Sequence, residues 1–443
     1  MNTKLLVTLL LSGSLSAMTL EETVAKALAH NNTLKEIALE VQQSKENRAE
    51  KRAQNLGRFD LVANYDHYNK ARTLAPLTPM DIAAPDGAYK TATTQDLITA
   101  GVAYNVVLFD GFAKQNSYKI SDILYKNSLI RSKLGTEELI YNVRSLYLSL
   151  LALDEQLEAQ QAYTESQKDL YEQIVAAYNL GSKSQLDTLR AKNAYIASRS
   201  TEDKLRANIA ILRASIQELI GGEPFGNEKK VAITVAQEEE FSEQKIENLS
   251  RYKLSLLQSD IAHKKMKTAS ASYYPRIDFS AYYGYSMGPN ATTNTSPLTN
   301  VTYLQEGDFQ SENIWQLGLH LKWNLYDFGA KSARVQKEKL AYMQSKLKVE
   351  DTSLQLRKNL DVAMSKIKLA QADYSAAESQ YELLDAITKA ELVKYESNAL
   401  TLTDLLDSRA KKELAYAKLI SAKYTYQKAK YYRDYLLERG EKK

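Results

Sequence analysis

Residues 314–331 read IWQLGLHLKWNLYDFGAK and contain a strand pattern and the point where that pattern ends. Apolar residues occupy every second position from Trp315 to Leu325, with polar or small residues between them. Such alternation is typical of a strand with one apolar and one polar face. The segment that follows has no proline and shows the spacing of three and four that indicates a helix. The stretch therefore predicts a strand over about 314–326 that leads into a long helix from about 331.

The end of this stretch, LYDFGAK, aligns with LFDGFAK at 108–114 when Leu325 is placed on Leu108, which indicates an internal duplication. Apolar seams with heptad spacing repeat under the same alignment. The first seam comprises Leu139, Val143, Leu146, Leu150, Leu153 and Leu157, and the second comprises Leu360, Ala363, Ile367, Ala370, Tyr374, Ala377, Tyr381 and Leu384. Because both seams share one register, each half is expected to form the same unit.

Each predicted unit consists of a helix, two strands and a long helical hairpin, so the fold is mainly α with a β section. The predicted first repeat is 18–220, with an opening helix over 20–53, strands at about 59–68 and 97–109, and a hairpin over 114–220. A linker follows at 221–245 and includes a short apolar strand at 231–235. The second repeat is 246–438, with strands at about 276–287 and 314–326 and a hairpin over 331–438, and a tail occupies 439–443. Helical patterns of about 65 residues predict rods of about 100 Å.

The N-terminal sequence MNTKLLVTLLLSGSLSA, at 1–17, has the layout of a secretory signal peptide. Lys4 supplies the positive charge, an apolar run follows, and small residues precede a cleavage site near Ser16 or Ala17. A buried N-terminal helix or strand is the alternative. The first interpretation predicts a mature protein that leaves the cytoplasm.

The composition excludes several classes of protein. The chain has 443 residues, 44% of them hydrophobic, and its net charge of +4 does not indicate nucleic-acid binding. No apolar run reaches the ~18–20 residues of a membrane-spanning helix. The absence of cysteine excludes disulfides, thiolate catalysis and lipidation of an N-terminal cysteine.

The four amphipathic strands match the length of transmembrane β-strands, about 9–11 residues at a tilt. Trp315 and Trp323 lie eight residues apart, which suits two aromatic girdles of a membrane. A soluble four-stranded sheet over a core explains the strands equally well. If the strands span a membrane, however, open edges cannot face lipid, and single-chain barrels need about eight strands or more. Three copies would supply 12 strands and close the barrel.

The ordered motifs TLEETVAKALAHNNTL, LFDGFAK, YNLGSKSQLDTLRA, YYPRIDFSAYYGY, LYDFGAK and YESNALTLTDLLDSR resemble the TolC-type outer membrane efflux proteins, also called outer membrane factors. The resemblance covers essentially the whole mature chain. It implies a homotrimer in the outer membrane of a Gram-negative-type bacterium, with a 12-stranded barrel on an α-helical coiled-coil tunnel in the periplasm. The implied partners are outer-membrane lipid, a periplasmic adaptor and an inner-membrane transporter, in an efflux or type I secretion system. No nucleic acid, cofactor or metal is expected.

By the same resemblance, the hairpin turns dock the adaptor, and the pore is constricted beside them. The docking residues are Gly181, Ser182 and Lys183 in the first turn and Asn398, Ala399 and Leu400 in the second. Asn398 replaces a glycine common in the family, and Leu400 stands where some members carry a basic latch residue. The candidate gate residues are Asp187, Tyr395, Asp404 and Asp407.

The acidic residues of the tip also have a local explanation. Ser184 to Asp187 and Thr401 to Asp404 both fit a capping box at a helix start. Asp407 coincides with Arg190 in the other repeat, so capping does not explain it. We hypothesise that Asp404 and Asp407 line the constriction as two carboxylate rings in a trimer and favour cations. Asp187, near Tyr395 of the adjoining hairpin, is expected to help latch the constriction.

Two other functions compete with an efflux duct. An enzyme is disfavoured because the four histidines (His30, His67, His263 and His320) lack metal-ligand spacing and no catalytic motif occurs. A secreted trimeric coiled-coil adhesin or tether would explain the seams. It would not explain two strand pairs at equivalent places in two repeats.

Overall fold

The computed structural model describes residues 18–77, 92–225, 228–235, 246–291, 308–397 and 399–440. The predicted signal peptide, Asn398, much of the predicted linker and the last three residues lie outside the described residues. The chain forms two compact units. The first contains residues 1–41, 128–255 and 349–443, and the second contains residues 42–127 and 256–348.

The elements follow one another in the order predicted for a duplicated unit. They are α1 (Leu20–His30), α2 (Asn32–Ala53), β1 (Arg58–Thr73), β2 (Thr93–Phe109), α3 (Ala113–Asn179), α4 (Gln185–Leu219), α5 (Ser250–Ser270), β3 (Arg276–Ala291), β4 (Asp308–Lys322), α6 (Ala330–Glu396) and α7 (Leu402–Leu436). Short 3₁₀ turns occur at 54–56, 246–248 and 271–273. None of the described helices combines the length and the apolar character needed to cross a membrane.

The long hairpins repeat in the predicted register. Helices α3 and α6 each contain 67 residues, and α4 and α7 each contain 35. Both ends of α6 and α7 coincide with the ends of α3 and α4 under the alignment that places Leu325 on Leu108. The mainly helical, duplicated fold predicted from the sequence is therefore confirmed.

The core of the first unit lies along the two predicted seams. Leu139, Val143 and Leu150 of α3 are buried against Ile209 and Ile216 of α4. In the second hairpin, four small or branched seam residues are buried: Ala363, Ile367, Ala370 and Ala377. Heptad spacing predicted both packing faces because these are the positions that meet a neighbouring helix.

The sheet belongs to the second unit and is antiparallel throughout, in the order β1-β2-β3-β4. Its register places the alternating apolar residues of all four strands on one face. That face comprises Phe59, Leu61, Ala63, Tyr65, Ile98, Ala100, Val102, Tyr104, Val106, Ile277, Phe279, Ala281, Tyr283, Tyr285, Trp315, Leu317, Leu319 and Leu321. The other face carries polar residues, among them Arg58, Asp60, Asn64, Asn105, Asp278, Ser280, Gln316, His320 and Lys322. The sheet is thus apolar on one face and polar on the other.

The strands are longer than the alternation indicated, and β4 ends earlier than predicted. They contain 15 to 17 residues, and β4 ends at Lys322 instead of about residue 326. Lys322 pairs with Arg276, which directly follows Pro275. Because proline has no N–H to donate, the ladder cannot continue past that point. Trp323 consequently lies just outside the strand.

Each strand-to-helix joint contains two consecutive residues in the left-handed region. They are Gly111 (φ +67°) and Phe112 (φ +70°) in the first repeat, and Phe328 (φ +55°) and Gly329 (φ +92°) in the second. The preceding aspartates cap the helices: Lys114 N donates to Asp110 Oδ2 at 3.0 Å, and Lys331 N donates to Asp327 Oδ2 at 2.9 Å. Both joints therefore have the same backbone shape.

Two local predictions are wrong. The opening helix breaks at Asn31, whose side chain accepts from Leu34 N and donates to the Leu219 carbonyl. Residues 231–235 form no strand. Their alternation has another cause, because Val231 and Ile233 pack on a helical core cluster that contains Tyr147.

Candidate functional site

The first hairpin turn ends α3 with a left-handed glycine. Gly181 has φ +76°, its N–H donates to the Tyr178 carbonyl at 2.8 Å, and Ser182 N donates to the Ala177 carbonyl at 2.9 Å. This bonding pattern is a Schellman motif, which satisfies carbonyls left open at a helix end. The turn is thereby fixed by backbone bonds, and it projects Leu180, which is 86% exposed.

The second turn closes in the equivalent way. Ala399 N donates to the Lys394 carbonyl at 2.8 Å, and the alignment of the two repeats places this bond on the one made by Ser182. The two turns differ in sequence, yet both contain this closing backbone hydrogen bond.

Asp187 forms a complete capping box with Ser184. Asp187 N donates to Ser184 Oγ at 3.1 Å, and Ser184 N donates to Asp187 Oδ2 at 3.2 Å. Hydrogen bonding to the Ser184 side chain is the main reason that the pKa of Asp187 is lowered. The carboxylate is therefore ionised at neutral pH and bonded within its own helix start.

The second turn has only half of this box. Asp404 N donates to Thr401 Oγ1 at 3.3 Å, while the Asp404 carboxylate accepts from the Thr401 hydroxyl at 2.6 Å. Asp407 lies on the same exposed side of α7 and forms an ion pair with Lys411 at 2.5 Å. Its carboxylate raises the pKa of Lys411. Sequence reasoning overlooked Lys411, although a spacing of four residues on a helix could have revealed it.

Tyr395 and Lys183 bring the two turns together. Lys183 Nζ lies 5.0 Å from the centroid of the Tyr395 ring, within the range of a cation–π contact. The ring also packs against a cluster formed by Leu170, Ile174, Ala191 and Leu402. The Asp187 carboxylate is hydrogen-bonded to Ser184. The charged group that contacts the Tyr395 ring is instead Lys183, one of the predicted docking residues.

The polar face of the sheet carries a duplicated ion pair at the helix end of its strands. Arg58 binds Asp60, and Arg276 binds Asp278, each at 2.9 Å. His320 lies on the same face, 3.0 Å from the Ser280 hydroxyl. Within the described part of the chain, no group of three His, Cys, Asp or Glu residues could hold a metal ion.

The two tryptophans are exposed at different places. Trp315 is 69% exposed on the apolar face, and Trp323 is 53% exposed beyond the end of β4. Trp323 Nε1 donates to the Tyr273 carbonyl at 3.1 Å. Each ring therefore combines an exposed apolar surface with a polar edge, as expected of residues at a membrane interface.

Solved structures of several membrane proteins share this fold. A membrane protein from Pseudomonas aeruginosa is 15% identical, with a TM-score of 0.77 and coverage of 94% of this chain and 93% of that chain. The CmeC outer membrane channel of Campylobacter jejuni is 15% identical, with a TM-score of 0.75 and coverage of 95% and 86%. The outer membrane protein VceC of Vibrio cholerae is 13% identical, with a TM-score of 0.74 and coverage of 95% and 96%. At these identities the likeness establishes the fold alone.

Sequence comparison supplies the family. No curated protein sequence matches the chain significantly. The profile of the outer membrane efflux protein family, however, matches residues 23–222 and 253–431. These ranges include all four strands and both hairpin turns. The chain therefore belongs to the outer membrane efflux protein family, which confirms its resemblance to the TolC-type ducts.

Proposed function

We propose that three copies of the chain form the exit duct of an efflux or type I secretion system, which receives its substrate from a periplasmic adaptor and an inner-membrane pump. Family membership makes the chain an efflux channel of the outer membrane that extends into the periplasm, and not an enzyme. The trimer, the adaptor and the pump are the proposed additions.

The observation that carries this proposal is the two-faced sheet. Strands β1 and β4 are its edges, and each bonds to only one other strand within the described residues. Lipid offers no hydrogen-bond partners for an open edge, so β4 of one copy must pair with β1 of the next. Three copies would close a 12-stranded barrel with the apolar face toward lipid and the polar face toward the channel. A secreted coiled-coil tether would not explain a sheet with one exposed apolar face.

Helix α6 offers a second seam for the assembly. Leu340, Leu347, Leu354, Leu369 and Leu383 recur at or near multiples of seven and are 52–66% exposed in one chain. They lie on a side of α6 away from the seam that packs within the hairpin. An exposed apolar stripe of this spacing suits a neighbouring helix from another copy.

We assign gating and docking to the hairpin turns. Asp404 and Asp407 would line the constriction, and the contact of Lys183 with Tyr395 would hold the two hairpins together. The exposed leucines Leu180, Leu186 and Leu189 beside the first turn would add apolar contacts to an adaptor. The turn residues Gly181, Ser182, Lys183, Asn398, Ala399 and Leu400 remain the proposed docking residues. Trp315 and Trp323 remain the proposed membrane girdle.

Ion selectivity in planar bilayers tests the duct and its constriction together. The purified protein is expected to conduct ions and to prefer cations. Asp404→Asn/Asp407→Asn should reduce that preference, because asparagine retains the shape of the side chain without its charge. Lys411→Gln should increase the preference, because it leaves Asp407 without its counter-charge.

The control is Asp169→Asn/Asp203→Asn, which removes two exposed carboxylates from the first hairpin. This variant should conduct like the wild type. Absence of conductance would refute the duct, whereas equal selectivity in all variants would refute only the constriction.

A further inference from the structure

Positive charge is concentrated in the four helical segments that directly adjoin the strands. These segments, here called the basic zone, are 42–56, 113–127, 256–273 and 330–348. They contain 16 Lys or Arg and 5 Asp or Glu, a net charge of +11. The whole chain carries only +4, so all remaining residues together carry −7.

Few of these charges are neutralised within the protein. Arg48 and Lys126 share the Asp122 carboxylate, at 2.8 and 2.9 Å. Six other cations have no carboxylate within ion-pair distance in the described ranges: Lys264, Lys265, Lys267, Arg334, Lys337 and Lys339. The pKa of His263 is lowered, first by burial and then by Lys267 and Lys264. The zone therefore has the positive potential of a surface that attracts anions.

A cavity of about 350 Å³ lies within the basic zone. Helices α3, α5 and α6 and the 3₁₀ turn at 271–273 supply its polar lining: Ser117, Lys265, Thr268, Ser272, Arg334 and Glu338. The ammonium, the guanidinium and the Ser117 hydroxyl can surround a phosphodiester, to which guanidinium groups bind in a bidentate manner. The Thr268 and Ser272 hydroxyls donate to the carbonyls of Lys264 and Ala269. Glu338 is the one carboxylate in this lining, so the two cations outnumber it.

Exposed aromatic residues lie where the basic zone meets the apolar face of the sheet. Trp323, Tyr326 and Phe328 follow β4, and Tyr273 and Tyr274 precede β3. They are 47–89% exposed. Aromatic rings are enriched at the level of lipid headgroups, with the apolar membrane interior on one side and water on the other. The basic zone therefore begins where headgroups are expected.

We propose that the basic zone binds anionic phospholipids of the periplasmic leaflet, and that the cavity between α3, α5 and α6 holds a headgroup phosphate. The inference rests on the proposed placement of the sheet in the membrane. An anionic cell-wall polymer would also be attracted, but continuity with the aromatic residues and the apolar face favours lipid. Attraction decays within about 10 Å at 0.1 M salt, so the cations nearest the strands contribute most.

Lipid binding to the full chain in non-ionic detergent tests this proposal, with native mass spectrometry as the readout. Phosphatidylglycerol should bind roughly tenfold more tightly than phosphatidylcholine with the same acyl chains, and 0.5 M salt should reduce the difference. Lys265→Gln/Arg334→Gln should reduce the preference to about threefold or less. Lys264→Gln/Lys267→Gln, which lie outside the cavity lining, should reduce it less. The control Lys192→Gln/Lys204→Gln should bind like the wild type.

Several results would overturn the proposal. They are equal binding of the two lipids, an unchanged preference in both zone variants, displacement of phosphatidylglycerol by equimolar inorganic phosphate, and stronger sedimentation with peptidoglycan than with phosphatidylglycerol vesicles. Thermal unfolding without lipid shows whether each variant is folded. If Lys265→Gln/Arg334→Gln is not folded, Lys264→Gln/Lys267→Gln takes its place in the test. A wild-type protein that conducts ions but binds the two lipids equally would refute this inference and leave the duct intact.

Discussion

Glu438 ends α7 and, through its side chain, begins α5. Its backbone has φ +55°, and it occupies the position that Gly221 holds in the first repeat. Its carboxylate accepts from Ser250 N at 3.0 Å and from Arg251 N at 3.3 Å, the first two residues of α5. Lys133 Nζ lies 3.4 Å away. The charge at the helix start offsets the cost of a left-handed residue that is not glycine.

Variants of Glu438 should separate these two effects. Glu438→Ala loses the cap and keeps the backbone cost, so we expect a loss of about 2 kcal/mol in unfolding free energy. Glu438→Gly should be less destabilised by about 1 kcal/mol, because glycine adopts this backbone freely. Glu438→Gln retains an acceptor and should lose least. Thermal unfolding in detergent gives the order.

The exposed Glu218→Ala is the matched control for this series. It should unfold at the wild-type temperature. If Glu438→Ala also does so, the carboxylate does not stabilise α5.

At the scale of elements, periodicity predicted the helices and strands, while local hydrogen bonds decided where they end. Heptad spacing located both hairpins because their buried faces run the length of the helices. The break at Asn31 was missed, since its cause is a bond to the distant Leu219 carbonyl. The end of β4 was missed because Pro275, which stops the ladder, belongs to the neighbouring strand's entry. Such partners cannot be identified from a single segment.

The two hairpin starts should respond differently to loss of their aspartates. Asp187→Ala removes the acceptor of Ser184 N, so amide exchange over 184–188 should be about threefold to tenfold faster, equivalent to roughly 1 kcal/mol. Asp404→Ala removes only a bond from the Thr401 hydroxyl, and exchange over 401–405 should change less. Hydrogen exchange followed by mass spectrometry measures both.

The exposed Asp203→Ala serves as the control and should leave both turns unchanged. A larger effect at Asp404 than at Asp187 would contradict the assignment of the complete capping box to the first turn.

At the scale of the whole molecule, the exposed stripe on α6 should hold copies together. Leu347→Glu/Leu354→Glu places two charges in the proposed contact, where burial of each leucine contributes about 1.5–3 kcal/mol. We expect the proposed trimer to dissociate in mild detergent when the chain carries this double substitution. Native mass spectrometry or light scattering measures the oligomeric state.

Gln161→Glu introduces a charge at an exposed position of α3, outside the stripe, and should leave the proposed trimer intact. A trimer that survives the double substitution would show that the copies associate through other surfaces.

The candidate site was less predictable than the fold. The capping role of Asp187 could be deduced from its spacing to Ser184, because both residues belong to one turn. The contact between Lys183 and Tyr395 could not, because it joins residues that are distant in sequence and belong to different hairpins. The basic zone could not be identified from the net charge of the whole chain. That charge is only +4 because the positive charge of the zone is largely balanced by negative charge elsewhere.

The strand-to-helix joints preserve a record of the duplication. Glycine comes first in one copy and phenylalanine in the other, yet both keep two left-handed residues. At Gly111 a Cβ would lie 2.6 Å from the Ala271 carbonyl oxygen, so a larger residue would clash with the backbone there. At Gly329 a Cβ would meet nothing within 4 Å, so only the left-handed backbone (φ +92°) favours glycine there. An alignment of the two repeats counts both positions as mismatches. The backbone dihedral angles, which are left-handed at both positions in both repeats, still show that the two halves have a common origin.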